Sequence, residues 1–128
     1  MSEIAVLDSS AMLTVHFGEP GAELVLPLLA SSLVSTVNLV EVHTKLLQKG
    51  VERRAAWEQI LSMGCEHCPF SEAEARLTAE LIGQTRRYGL SLGDRACLAL
   101  AIQRKATVYT TDKAWKSLSL GIEIEVIR

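Results

Sequence analysis

Short apolar runs alternate along this chain with stretches whose apolar residues recur at helical spacing. Ile4-Ala-Val-Leu7 reads as a strand covered on both faces. Asp8-Ser-Ser follows it, with side chains suited to accept the free N–H groups that open a helix. Gly18-Glu-Pro-Gly21 is a loop, and Pro20 is placed to start a helix over 22–30. Leu33-Val-Ser-Thr-Val37 is a second predicted strand. Asn38 is expected to cap a helix running to about Gln48, with Gly50 ending it.

A further helix is predicted over 51–63, with Ala56, Trp57, Ile60 and Leu61 on one face. Glu66 to Phe70 reads as a short strand. Ser71-Glu-Ala-Glu74 has the Ser-x-x-Glu spacing of a capping box and opens a long helix toward Tyr88. Ser91-Leu-Gly-Asp94 begins another, whose Ala- and Leu-rich span 96–104 belongs in the core. Thr107-Val-Tyr-Thr110 is a strand, Asp112 caps a short helical turn, and the residues from Glu123 onward form a last strand. Alternating strands and helices imply an α/β fold with parallel pairing through right-handed crossovers. Ligands of such sheets gather beyond the carboxyl ends of the strands.

Composition limits the remaining choices. With 128 residues and 48% apolar content, the chain can bury a core without disulfides or structural metal. No repeat or Pro/Ser-rich linker divides it, so one domain over 1–128 is expected. No apolar run reaches the roughly 18 residues of a membrane span. Met1 to Leu7 lacks the basic segment and apolar stretch of a signal peptide. Three cysteines, an odd set, suit a reducing compartment, so a cytoplasmic location is expected. The net charge of -2 excludes nucleic-acid binding by a uniformly basic surface and leaves a local basic patch open.

Four acids stand out by position. Asp8 and Asp112 each follow a predicted strand, Asp94 opens a helix, and Glu41 lies in a helix's first turn. Each has an ordinary explanation alone. Asp8 and Asp112 serve as helix caps worth about 1 kcal/mol. Asp94 complements a helix dipole, and Glu41 pairs with Lys45 for a few tenths of a kcal/mol. Together they project toward one rim of a parallel sheet, where carboxylates repel one another unless a cation joins them. An all-oxygen set without Cys or His favours Mg²⁺ or Mn²⁺. Such ions serve phosphodiester hydrolysis, with one ion or two.

At these residues the chain resembles the PIN-domain family, and specifically the VapC-type toxins of toxin–antitoxin pairs. The matching segments are Val6-Leu-Asp8-Ser-Ser-Ala11, Asn38-Leu-Val-Glu41, Ser91-Leu-Gly-Asp94-Arg-Ala-Cys-Leu-Ala99 and Thr110-Thr-Asp112, in family order. The resemblance implies a three-layer α/β/α sandwich with a mostly parallel sheet. It implies Mg²⁺-dependent endonucleolytic cleavage of RNA, often structured RNA such as tRNA, a cognate antitoxin, and a homodimer. Asp8, Glu41, Asp94 and Asp112 take the positions of the family's four acids, and Thr110 that of a threonine supporting them. Ser9 and Asn38, beside motif acids, are further candidates for supporting hydrogen bonds.

Other features weigh less. Cys65-Glu-His-Cys68 invites a zinc reading, but its spacing matches none of the usual paired arrangements and Cys97 is a poor fourth ligand. His16 and His43 have no nucleophile suggested by position. Arg95, Lys113 and Lys116 neighbour motif acids and are the candidates for a phosphate-binding rim. Arg86, Arg87, Arg104 and Lys105 read equally well as solvated surface. Rival functions are a non-catalytic RNA- or protein-binding module of the same fold, a phosphoacceptor at Asp8, and a nuclease acting on DNA. Dinucleotide and P-loop fingerprints are missing from the sequence.

Overall fold

A computed structural model describes residues 4–128. The chain begins with β1 (Ala5–Leu7), α1 (Ser9–Phe17), α2 (Ala22–Val25) and a 3₁₀ segment (Leu26–Ser31). It continues through β2 (Ser32–Ser35), α3 (Thr36–Gln48), α4 (Arg53–Ser62) and β3 (Glu66–Cys68). Then come α5 (Glu72–Glu80), α6 (Ile82–Thr85), a 3₁₀ turn (Arg86–Tyr88) and α7 (Leu92–Arg104). β4 (Thr107–Thr110), a 3₁₀ turn (Lys113–Ser117) and β5 (Ile124–Val126) complete it.

The five strands form one sheet in the order β3-β2-β1-β4-β5, and every pairing is parallel. The fold is α/β, with helices on both faces of the sheet. Period-two alternation explains the two cores. Val6, Leu33 and Val108 point to one face, beneath α7 and beside Leu81 and Trp115. Leu7 and Val34 point to the other, against Met12 of α1, Val42 and Leu46 of α3, and Ile60 of α4. Strand order runs outward from β1 to β3 and resumes on the opposite side of β1 with β4. The reversal therefore lies between β1 and β4, where open α/β sheets leave a crevice at the strands' carboxyl ends. Among the described residues no helix is long and apolar enough to cross a membrane.

Several boundaries differ from expectation for local reasons. The helix predicted over 22–30 passes into 3₁₀ geometry at Leu26, because Pro27 in the next turn lacks an N–H and crowds the preceding one. The helix expected to start at Asn38 starts at Thr36 instead. Ser35 caps it by accepting from Val37 N at 3.1 Å, which leaves the Asn38 amide for another task. The long helix expected from Ser71 to Tyr88 breaks at Leu81. Gly83 weakens the helix there, and the Thr85 hydroxyl donates back to the Leu81 carbonyl at 2.8 Å.

Candidate active site at the carboxyl edge of the sheet

Asp8 is the first residue after β1 and the N-cap of α1. Its Oδ1 accepts from the Ser10 hydroxyl at 2.6 Å and from Ala11 N at 2.8 Å. Its Oδ2 accepts from the Thr110 hydroxyl of β4 at 2.6 Å. Thr110 reaches Asp8 because β1 and β4 pair in register, Leu7 opposite Tyr109. The carboxyl is only 4% exposed. Burial lifts its pKa from 3.8 to about 6 against the pull of the three hydrogen bonds, and the Asp94 charge adds to the rise.

The hydroxyls extend the network. Thr110 Oγ1 accepts from Asp112 N at 3.1 Å, and Ser10 Oγ accepts from Thr111 N at 3.0 Å. Ser10, rather than the expected Ser9, thus supplies the second hydroxyl on Asp8. The two serines are adjacent, and only the helix's direction after the cap decides which one turns back. Asp112 itself caps the following 3₁₀ turn, accepting from Ala114 N at 3.0 Å, and is exposed.

Asp94 belongs to a reciprocal capping box. Ser91 Oγ accepts from Asp94 N at 3.1 Å while Asp94 Oδ2 accepts from Ser91 N at 2.9 Å. Burial raises its pKa first, and the charges of Glu41 and Asp112 raise it further. Glu41 stands on α3 facing the start of α7. Asn38 Nδ2 donates to Glu41 Oε1 at 2.9 Å and to the Gly93 carbonyl at 3.1 Å, so one amide spans both helices. Glu41 turns to Asn38 rather than to Lys45, as the surface-pair reading required. A Cβ on Gly93 would fall 2.6 Å from Glu41 Cδ, so glycine leaves the room this carboxyl occupies. Cys97 lies fully buried under the site, its thiol pushed well above the ordinary range by burial and by Asp8, Asp94 and Glu41.

Asp94 thus stands at the centre of the acids near the β1/β4 reversal, acting on Asp8 and acted on by Glu41 and Asp112. Among the described residues, however, no three His, Cys, Asp or Glu side chains form a ready ligand group for one ion. Cys65 and Cys68 pack into cores on opposite faces of the sheet, so the Cys-Glu-His-Cys segment does not converge.

The basic candidates separate. Arg95 turns inward: its Nη1 donates to the Thr78 carbonyl of α5 at 2.8 Å, which ties α7 to α5 and takes it off the phosphate rim. Lys113 and Lys116 are exposed and line a groove with Val126 and Arg128. A second groove, also reaching Arg128, runs from Ser10 past Phe17 to Lys45 and Lys49. As site residues, Ser10, Gly93, Lys45 and Lys49 escape sequence reasoning, although the Asp-Ser-Ser triplet places a hydroxyl near Asp8.

The chain is similar to known proteins in family and in fold. The PIN domain family matches residues 5–119. No curated protein matches the chain. VapBC2 from Rickettsia felis, solved with a DNA fragment from its promoter, has a TM-score of 0.73 at 20% identity, covering 95% of this chain and 97% of that one. VapBC from Salmonella typhimurium, DNA-bound, has a TM-score of 0.73 at 17% identity over 94% and 96%. VapC20 from Mycobacterium tuberculosis, described as a Sarcin-Ricin loop cleaving toxin, has a TM-score of 0.70 at 17% identity over 93% and 98%. These structures share the fold, and the family match spans nearly the whole sheet and all four acids. The chain belongs to the PIN-domain family.

Proposed function

We propose that this PIN domain is a metal-dependent endoribonuclease and the toxin of a toxin–antitoxin pair. The observation that carries the reading is Asp8: a buried carboxyl, raised by desolvation and by Asp94, at the strand-order reversal of a parallel sheet. Asp8, Asp94 and Asp112, with Glu41 opposite, would hold Mg²⁺ or Mn²⁺. The donor chemistry fits, since all four offer hard oxygens. Asp8 accepts three hydrogen bonds, and a carboxylate has about four acceptor sites. One direction therefore remains for a cation. The lack of a three-residue ligand group among the described residues suits Mg²⁺, which keeps several waters and takes one or two carboxylates plus a substrate phosphate.

When bound, such a cation supplies positive charge to a phosphate oxygen and acidity to a coordinated water. The chain's own groups do the positioning. Thr110 and Ser10 fix the plane of the Asp8 carboxylate from both sides. Asn38 holds Glu41 against the first turn of α7, beside Asp94. Lys113 and Lys116, immediately after Asp112, would attract the phosphate backbone.

RNA as substrate is supported by the Sarcin-Ricin loop cleaving toxin among the structural relatives. A cognate antitoxin is supported by relatives solved as toxin–antitoxin complexes. A homodimer is the further assembly that the family resemblance implies. Action in the cytoplasm follows from a cellular RNA target.

The test is cleavage of a labelled structured RNA, such as tRNA, by purified protein in Mg²⁺, in Mn²⁺ and in EDTA, with Asp8→Asn as control. Cleavage that needs the ion and disappears in the variant supports the reading. Cleavage that persists in Asp8→Asn overturns it. A protein that binds RNA without cutting it is the non-catalytic module. Equal cutting of DNA would make the site a general nuclease.

A further inference from the structure

The groove beginning at Ser10 combines features that the acids do not explain. Phe17 ends α1 and is 40% exposed. His16 packs edge-on against its ring, with centroids 4.7 Å apart. Lys49 Nζ lies 5.2 Å from the ring centroid, and Lys45 lines the same groove. Among the described residues no carboxylate forms an ion pair with either lysine. Glu19 is the acid in the groove, and its charge is engaged by Arg128 at 3.2 Å. The mouth of the groove touches the acids, because Ser10 donates to Asp8 and accepts from Thr111 N.

An exposed ring beside two ammonium groups that no described carboxylate pairs is the chemistry of single-stranded nucleic acid. Any base offers a face to an aromatic ring, while the backbone follows the positive charge. A protein partner of acidic character would use the lysines but would have no need of the ring's face. In a chain of net charge -2, this local excess of positive charge is not a consequence of composition.

We infer that this groove seats a single-stranded segment of nucleic acid, with a base stacked on Phe17 and phosphates against Lys45 and Lys49. The strand would pass Ser10 to reach Asp8. A stacked base takes the place that Lys49 holds over the ring, freeing its ammonium for a phosphate. The inference rests on the nuclease reading only where the strand continues to the acids.

The experiment measures binding of a fluorescein-labelled oligouridylate about ten nucleotides long, in EDTA and across a salt series, so that neither metal nor cleavage enters. Each phosphate contact contributes about 0.7 to the slope of log affinity against log salt for single strands. Lys45→Ala with Lys49→Ala should therefore lower that slope by about 1.4. Phe17→Ala should weaken binding about tenfold with the slope unchanged, and Phe17→Tyr should retain it. Arg53→Ala with Arg54→Ala, in a separate groove beside Trp57, should change nothing. Wild-type binding by Phe17→Ala, or an unchanged slope in the double lysine variant, overturns the inference. If those variants bind normally and metal-dependent cleavage persists, the groove is wrong and the nuclease reading stands. If binding follows the pattern without any cleavage, the groove stands and the nuclease reading falls.

Discussion

The Thr110 hydroxyl donates to Asp8 Oδ2 at 2.6 Å across 102 positions of sequence. That bond joins the ends of the two strands between which the sheet reverses direction. Thr110→Val keeps the side chain's shape and removes the donor. Groups that orient a metal-holding carboxylate usually cost about 10- to 100-fold in metal affinity or activity when removed. Thr110→Val should lose that much, with cleavage partly restored by higher Mg²⁺, and should cost about 1–3 kcal/mol of stability because Asp8 Oδ2 and Asp112 N lose their partner. Activity titrated against Mg²⁺ distinguishes this from a direct loss of chemistry, which added metal would not repair.

Asp8 also sets a pH dependence of stability. Its folded-state pKa of about 6 exceeds the ordinary 3.8, so the folded protein binds this proton more tightly than the unfolded chain. The resulting stability is fully present below 3.8 and is lost as pH rises through about 6. The full loss is on the order of 3 kcal/mol. Asp8→Asn cannot ionise, so its melting temperature relative to wild type should be more favourable above the window than below it. A difference that stays constant across the pH series would show that Asp8 carries no such shift. Mg²⁺ should raise the wild-type melting temperature above the window and leave the variant unaffected.

Gly93 separates stability from activity. Alanine is favoured over glycine in a helix by roughly 0.5–1 kcal/mol. The new methyl, however, would enter the space of the Glu41 carboxyl, whose flexible side chain can swing away. Gly93→Ala should therefore fold at least as well as wild type and lose about tenfold or more in cleavage. Thermal denaturation and the RNA assay on the same preparation check both halves.

Arg95 and the lysines after Asp112 should behave oppositely. Arg95 donates to the Thr78 carbonyl inside the α5–α7 packing, a charge-assisted bond worth about 1.5–3 kcal/mol. Arg95→Ala should lower stability by about that amount and leave the salt dependence of RNA binding unchanged. Lys113→Ala with Lys116→Ala should do the reverse. The slope should fall by about 0.7 for each contact with a single strand, at unchanged melting temperature.

Where expectation and structure part, the cause is distance along the chain. Short strand-like runs located β1, β2 and β4, and the acids' neighbours located the helix starts after Asp8, Ser91 and Asp112, since caps and short buried strands depend on residues a few positions apart. Asn38 shows the limit. As a residue type it suits a cap, yet Ser35 already supplies that bond, and the freed amide bridges to Gly93, 55 positions away. Arg95 follows the same logic: beside Asp94 in sequence, it faces α5 because helix rotation turns consecutive side chains about 100° apart.

The sequence by itself determined the class of fold, the order of the four acids and their places at strand ends and helix starts. Those properties are written in local periodicity and capping chemistry. Only the tertiary structure decided that Ser10 and Thr110 clasp Asp8, that Glu41 lies over Gly93, and that Lys45 and Lys49 share a groove with Phe17. Each of these joins elements whose mutual approach depends on sheet order and helix packing, and short-range pattern carries no information about either.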